Sequence, residues 1–360
     1  MKIIHTADWH LCDTQMGLST RGTDFTNAAM AVVETAVKHD VKVIVNAGDL
    51  LDISRPSSNK IEELQSIDEA LSYNGITMLT ISGNHDKSYP SWVDVAKLDN
   101  IINIDNKVVD IKGISFAGVP YMPTPQLKAT INALSGGDCL VTHCAVKEFI
   151  GFESSSAILL EELPTSKFQA ILLGDIHIHE YMEVNGCYVG YPGSIELCSR
   201  KEDKQKYVSI FEWDKEHNLS RESVPIGSRK IVELRIFTDD DMEAALAELT
   251  RVADEDPIVY IHYAYGIKEI VPRAKRVLSS DSIVKPLPIP GTHRDFIDYK
   301  ETIEIPELAG PRDFIYNYFK EENELHELAS KCCSPGAVPG VEIANYVANK
   351  LNQSTIIADE

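Results

Sequence analysis

The sequence predicts an α/β protein: two mixed β-sheets packed together between helices, then a smaller α+β domain and a helical tail. Three observations predict it. Apolar strand patterns alternate with amphipathic helix patterns from residue 2 to 98, short strands dominate from 101 to 213, and the character shifts again near Ile226-Gly227.

Taken in order, residues 2–7 read as a buried strand. Residues 24–38 carry Phe25, Ala28, Ala29, Val32, Val33 and Ala36 at helical spacing. A second apolar strand covers 42–47. Residues 60–73 are amphipathic, with Ile61, Leu64, Ile67 and Leu71 three and four apart. A third strand covers 77–82, and 92–98 is predicted helical. Such a series predicts parallel strands with helices on the faces. Strands follow at 101–104, 108–111, 114–119, 140–143, 170–173, 187–190 and 206–212. Beyond Gly227, strand 231–237, a helix at about 242–253 capped by Thr238-Asp239-Asp240, and strand 258–263 make a small α+β unit. Pro286, Pro288 and Pro290 predict a loop before Gly291. From Pro311 the pattern is helical, with Phe314, Tyr318, Leu325 and Leu328; it breaks at Ser334-Pro335-Gly336, and a last helix covers 341–351. The expected domains are 1–226, 229–305 and 306–360.

Composition narrows the function classes. The 360 residues exceed what one core usually fills. No apolar run approaches the roughly 18 residues of a membrane helix. Met1–His5 runs directly into a strand pattern, without the apolar region and cleavage site of a signal peptide. Seven cysteines without a CxxC pair argue against a disulfide framework and a structural zinc site, and suggest a reducing cytoplasm. Vicinal Cys332-Cys333 reads as two small thiols. A formal net charge of −21 argues, taken alone, against a nucleic-acid ligand, which usually meets a basic patch.

The chemistry sits at strand ends. Asp8-Trp9-His10 follows the first strand, Gly48-Asp49-Leu50-Leu51-Asp52 the second, and Gly83-Asn84-His85-Asp86 the third. His143 ends a later strand, and Gly174-Asp175-Ile176-His177 follows another. In an open α/β sheet, carboxyl ends of strands line one crevice. Five strands therefore deliver ligand-type side chains to one edge, and glycines let the chain turn just before them. Each motif alone also fits a turn, a helix cap or a core histidine; the ordered set does not. His5, inside the first strand, reads as a core residue. Clustered carboxylates, imidazoles and an amide at one edge are a donor set suited to divalent ions.

D-x-H, GD-x-x-D, GNHD, a strand-end His and G-x-x-H together resemble the calcineurin-like metallophosphoesterases. More narrowly, His5–Leu11, Gly48–Asp52 followed by Ser54-Arg55-Pro56-Ser57, and Tyr191-Pro192-Gly193-Ser194-Ile195-Glu196 are similar to the SbcD and meiotic-recombination-eleven nucleases. The resemblance covers about residues 1–215 by motif and 229–305 by position, where that family carries a DNA-capping subdomain. It implies a DNA nuclease, exonuclease on duplex ends and endonuclease on single strands or hairpins, using two divalent ions, Mn²⁺ or Mg²⁺. Asp8, His10, Asp49 and His177 would bind one ion; Asp49, Asn84, His143 and Asp175 the other. His85 would lie beside the phosphate, and Asp52 would orient a ligand or stabilise its turn. It further implies a homodimer, in which the 60–73 stripe either pairs two copies or packs on its own sheet. An SbcC-type coiled-coil ATPase would meet the tail, unless that tail packs on its own domain. A cytoplasmic or nucleoid location follows, or a host cytoplasm for a viral chain.

Asp175 stands where the family usually has the first histidine of Gly-His-x-His. A carboxylate still binds a divalent ion and favours harder ones. His177-Ile178-His179 offers a second register, because strand alternation puts 177 and 179 on one face as well. Ser54, Arg55, Lys60 and Lys87 are candidates to grip phosphates, or are polar loop and capping residues. Two rivals stand beside the nuclease: a phosphoesterase for nucleotides or phosphoproteins, and a non-catalytic scaffold.

Overall fold

Successive residues of the central strands enter different cores, and that alternation sets the layers. In β1 (Lys2–Thr6), Ile3 faces one cluster and Ile4 another; in β2 (Val43–Asn46), Val43 and Val45 join Ile3 while Ile44 joins Ile4. The first cluster lies between two sheets. The second is closed by α1 (Thr20–Lys38) and α2 (Ser58–Asn74). The computed structural model describes residues 1–288 apart from 16–17, 152–153, 200–201, 203, 264–269 and 279–281. The predicted tail over 306–360, with Cys332-Cys333, lies outside the described residues.

Chain order continues through β3 (Thr77–Thr80), α3 (Trp92–Ala96), β4 (Ile101–Asn103), β5 (Val108–Ile111), β6 (Ile114–Val119), α4 (Thr124–Ala133), β7 (Gly137–His143), β8 (Phe168–Gly174), β9 (Glu180–Val184) and β10 (Cys187–Tyr191). Then come β11 (Lys206–Trp213), β12 (Leu219–Ile226), β13 (Ile231–Ile236), α5 (Asp239–Val252), β14 (Ile258–Tyr263), α6 (Ile270–Val277) and β15 (Ile283–Pro288). One six-stranded sheet has the order β12-β11-β1-β2-β3-β4, the other β5-β6-β7-β8-β10-β9. Strands β1, β2, β3 and β4 are parallel, as are β6, β7, β8 and β10. Cys139, Val141, Ala170 and Leu172 fill the space between sheets, while Leu140, Ile171 and Leu173 face outward toward α4. This is the two-sheet arrangement that the sequence predicts.

Helix α2 keeps its apolar stripe for itself. Leu64, Ile67 and Leu71 are buried with α1 and the sheet, so of the two expected uses of this stripe the structure shows packing on its own domain.

The α+β unit is a three-stranded parallel sheet, β13-β14-β15, covered by α5 and α6. Thr238 caps α5 with Asp241, whose carboxylate accepts from the Thr238 amide at 2.9 Å. Pro286 and Pro288 belong to β15 and not to a loop. Strand β15 is an edge, where alternate amides face away from the neighbour, and two prolines two residues apart remove only amides of one orientation. Buried Arg21 of α1 joins this unit to the first: it donates to Asp24 (2.9 Å) and Glu196 (3.2 Å), and the same carboxylates accept from Arg229. Among the described residues, no helix is long and apolar enough to cross a membrane. Cys12, Cys139, Cys144, Cys187 and Cys198 are free thiols.

Candidate metal centre

Because β1, β2 and β3 run parallel, their carboxyl ends open on one edge, and β7 and β8 bring theirs to the same place. Beyond β1 the chain keeps pace with the turn after β2: the Asp8 amide donates to Gly48 O and the His10 amide to Asp49 O, each at 3.0 Å. Trp9, between them, is fully buried and donates to Thr6 Oγ1 at 2.9 Å. The intervening ring is thus spent on the core, which leaves Asp8 and His10 to the edge.

The backbone is strained where the acids gather. Asp8 (φ 53°), His10 (φ 42°), Asp49 (φ 50°) and Asp175 (φ 102°) all occupy the left-handed half of conformational space. Such residues cost about 1–2 kcal/mol each and persist where the surroundings over-determine them, most often at functional sites. Gly83 is required for space: a Cβ there would strike the Asp49 carboxylate.

Asp8, Asp49 and His143 offer ligand atoms all within 4.8 Å of one another. Asp49 Oδ2 lies 3.4 Å from His143 Nε2 and 3.7 Å from His10 Nε2. Asn84 Oδ1 is 2.9 Å from His143 Nε2, and Asp175 Oδ1 is 3.8 Å from it. The Nε2 atoms of His10 and His177 face each other at 3.1 Å. All seven predicted ligand residues therefore meet. Two of the imidazoles are oriented from behind: His143 Nδ1 donates to Ala47 O at 2.8 Å and His177 Nδ1 to Glu202 Oε1 at 3.0 Å, which turns each Nε2 inward.

Charge tells the same story. Burial works to raise the Asp49 pKa, but the His143 hydrogen bond and the nearby imidazoles hold it at about 2. Burial works to lower His143, and Asp49 instead holds it at about 10. For His177 burial again pulls down, while Cys198 and Glu202 hold it at about 11. Asp175 is raised, chiefly by burial. This acid-rich pocket draws protons onto its histidines, as expected of a cavity suited to cations. His10 is only 4% exposed, yet its Nδ1 makes no hydrogen bond; Asp52 Oδ1, at 3.2 Å, lacks the angle for one. Converging carboxylate, amide and imidazole donors, with a buried ring nitrogen of His10 left without a hydrogen bond, fit divalent ions.

His85 stands at the rim, its side chain 43% exposed. Its Nδ1 donates to Asp52 O at 2.9 Å, and its amide donates to Asp49 Oδ1 at 2.9 Å. Asp52 thus lies between His10 and His85. His179 points elsewhere: Nδ1 donates to Pro192 O (3.1 Å), Nε2 pairs with Ser223 Oγ (2.7 Å), and the ring stacks on Tyr207. Asp175, not His179, reaches the pocket. His5 is fully buried against Tyr181 and Phe211.

Of the residues expected to grip phosphate, Ser54, Arg55 and Lys87 are exposed, and Lys87 Nζ donates to Tyr121 O at 3.2 Å. Lys60 is a correction. It is 2% exposed and paired with Glu63 at 2.6 Å, because the first turn of α2 packs against α1; it cannot reach a ligand. Three supporting residues escaped sequence reasoning. Asp86 accepts from the Gly83, Leu50 and Leu51 amides and ties two site loops together; burial and the Asp49 charge raise its pKa to about 6. It is the last letter of GNHD, which was a usable signal. Glu202 and Cys198, both beside His177, sit in a polar stretch with none.

A calcineurin-like phosphoesterase superfamily domain model matches residues 1–216. The chain is similar to DNA double-strand break repair proteins Mre11. That of Haloferax volcanii is 27% identical over 286 residues, 76% of this chain and 63% of that protein. That of Saccharolobus solfataricus is 30% identical over 215 residues, 56% of each. That of Methanosarcina mazei is 29% identical over 250 residues, 66% of this chain and 39% of that protein. The chain thus spans less than two thirds of the length of these relatives. More than half of its residues fall under the family model, and the strand ends inside that match are the ones that gather the acids and imidazoles: the chain belongs to the calcineurin-like phosphoesterase superfamily.

Proposed function

We propose that this chain is a metal-dependent phosphodiesterase that cuts DNA, an Mre11-like, SbcD-type nuclease of double-strand-break repair. The observation that carries the reading is the meeting of Asp8, His10, Asp49, Asn84, His143, Asp175 and His177 at joined strand ends, with His85 exposed at the rim. DNA as substrate is supported by the relatives, which are DNA break repair proteins.

In this reading Asp8, His10, Asp49 and His177 hold one divalent ion, and Asp49, Asn84, His143 and Asp175 the other. Two such ions supply an activated water and charge for the phosphoryl oxygens. The protein's own groups do the rest. Asp49 is the shared carboxylate, fixed by the His85 amide. His85 has Nδ1 committed to the Asp52 carbonyl, which leaves Nε2 to protonate the leaving oxygen or steady a phosphoryl oxygen. Asp52 sets the ring of His85 through its carbonyl and places a carboxylate 3.2 Å from His10 Nδ1. Arg55 and Lys87 are exposed cations for the phosphate backbone. Mn²⁺ suits the second position, whose donors are mainly carboxylate and amide oxygens, with Mg²⁺ as the harder alternative.

The α+β unit over 229–305 would cap DNA, and the segment 306–360 would meet a coiled-coil ATPase of the SbcC type. Pairing into a homodimer would use a surface other than the α2 stripe. The location is the cytoplasm or nucleoid. With a net charge of −21, DNA affinity would come from the bound ions, a few local cations and the partner.

The test is cleavage of linear duplex, single-stranded and hairpin DNA with Mn²⁺, with and without the ATPase, beside a small aryl phosphate. We expect DNA cleavage that His85→Ala lowers by about 10²-fold or more. Turnover of the aryl phosphate alone would favour a nucleotide or protein phosphoesterase, the reading that the acidic balance supports. Absence of any turnover sensitive to His85→Ala would favour a non-catalytic scaffold.

A further inference from the structure

The stretch after β10 carries a sulfur into the same pocket. Cys198 Sγ and one ring nitrogen each of His10 and His177 form a group of donors all within 4.8 Å of one another. The two imidazoles already face each other through Nε2 at 3.1 Å, and the His10 ring is only 4% exposed. Cys198 is held in place independently of its sulfur. Its carbonyl accepts from Gln15 Nε2, and its amide donates to Glu202 Oε2 at 3.3 Å. The other oxygen of Glu202 orients His177 at 3.0 Å. One carboxylate thus positions both the imidazole and the cysteine. Beyond the histidines, the sulfur's hydrogen-bond contact is Glu196 O, at a weak 3.7 Å. The other half of the centre is built from oxygen and imidazole: Asp49, Asn84, His143 and Asp175.

We propose that Cys198 is a thiolate ligand of the ion held by Asp8, His10, Asp49 and His177. This rests on the two-metal reading above and deepens it: one position is soft, with sulfur and two imidazoles, and the other is hard, with Asp175 in place of an imidazole. As the ion binds, the S–H bond breaks, the sulfur electron pair forms the metal bond, and the proton leaves to solvent; nothing is oxidised or reduced. The two positions then select different ions, with Zn²⁺ or Co²⁺ favoured at the first and Mn²⁺ at the second.

The experiment titrates the full chain with Co²⁺ under anaerobic conditions. A near-ultraviolet sulfur-to-cobalt charge-transfer band is expected in the unaltered protein. It should vanish in Cys198→Ser while the visible cobalt bands remain. The same variant should lose about 10–100-fold in preference for Zn²⁺ over Mn²⁺. A third measurement needs no variant: Co²⁺ should protect Cys198 from alkylation by iodoacetamide, read by mass spectrometry. Visible cobalt bands without the sulfur band, or a sulfur band that survives Cys198→Ser, overturn the thiolate assignment and leave the two-metal reading standing. Absence of every cobalt band and of protection overturns both.

Discussion

His5 and His10 stand five residues apart in one short stretch, and only His10 reaches the pocket. The difference is measurable as pH-dependent stability. His5 is fully buried in β1, with Nδ1 2.7 Å from the Tyr181 hydroxyl. Burial holds its pKa at about 3, against 6.5 for a free histidine. The folded protein therefore keeps this ring neutral, whereas the unfolded chain protonates it below about pH 6.5. Stability from His5 is complete above that value and drains away as pH falls toward 3, at close to 1.4 kcal/mol per pH unit. At pH 4, about 2.5 units below the free value, the loss reaches about 3 kcal/mol. The perturbation is His5→Phe, which keeps a ring and removes the titration. It removes the His5 hydrogen bond from the Tyr181 hydroxyl, a cost of about 1–3 kcal/mol that does not vary over this range. Urea unfolding followed by tryptophan fluorescence, at steps from pH 7 to pH 4, gives the difference between the two proteins. We expect the unaltered protein to lose about 3 kcal/mol relative to the variant on that descent. A difference that stays constant would refute the assignment of a buried neutral His5.

Gly83→Ala would drive a Cβ into the Asp49 carboxylate, so divalent-ion affinity by calorimetry should fall at least about tenfold while far-ultraviolet dichroism is unchanged. Glu202→Gln removes the charge that orients His177 and pairs with Lys206, whose side chain is 3% exposed; the unfolding free energy should drop by about 3 kcal/mol, seen as a lower urea midpoint. Arg229→Ala breaks the bonds to Asp24 and to the Asp256 carbonyl, so limited proteolysis near residues 226–230 should accelerate, with about 1–3 kcal/mol lost.

What the sequence hid about the fold was mostly at edges. Strands β9, β12 and β15 were not foreseen, and each closes a sheet on one side. An edge strand with one free flank needs no continuous apolar run: β12, Leu219–Ile226, is exposed or half-buried at every position but the last. Interior strands such as β7 and β8, covered on both faces, carry apolar runs that no loop would. Helix α4 rests on only two buried residues, Leu127 and Ile131, and so left too short a stripe to recognise. In β15 proline was given its usual meaning, correct for an interior strand and not for an edge.

The centre divides along a different line. Residues that approach it along their own strand were legible, because strand, glycine and ligand are consecutive: Gly48-Asp49, Gly83-Asn84 and Gly174-Asp175. Residues that reach it from a distant loop were not. Glu202 lies 25 positions from the His177 that it orients, inside Lys201-Glu202-Asp203-Lys204, which locally reads as solvated charge. Lys60 misled for the mirror-image reason, since a lysine at a helix start looks exposed until α1 covers it. Local sequence reports what the backbone does next, and therefore which side chains a strand end presents. It does not report the cover that a remote segment supplies. Supporting groups such as Glu202 and Cys198 owe their places to that cover.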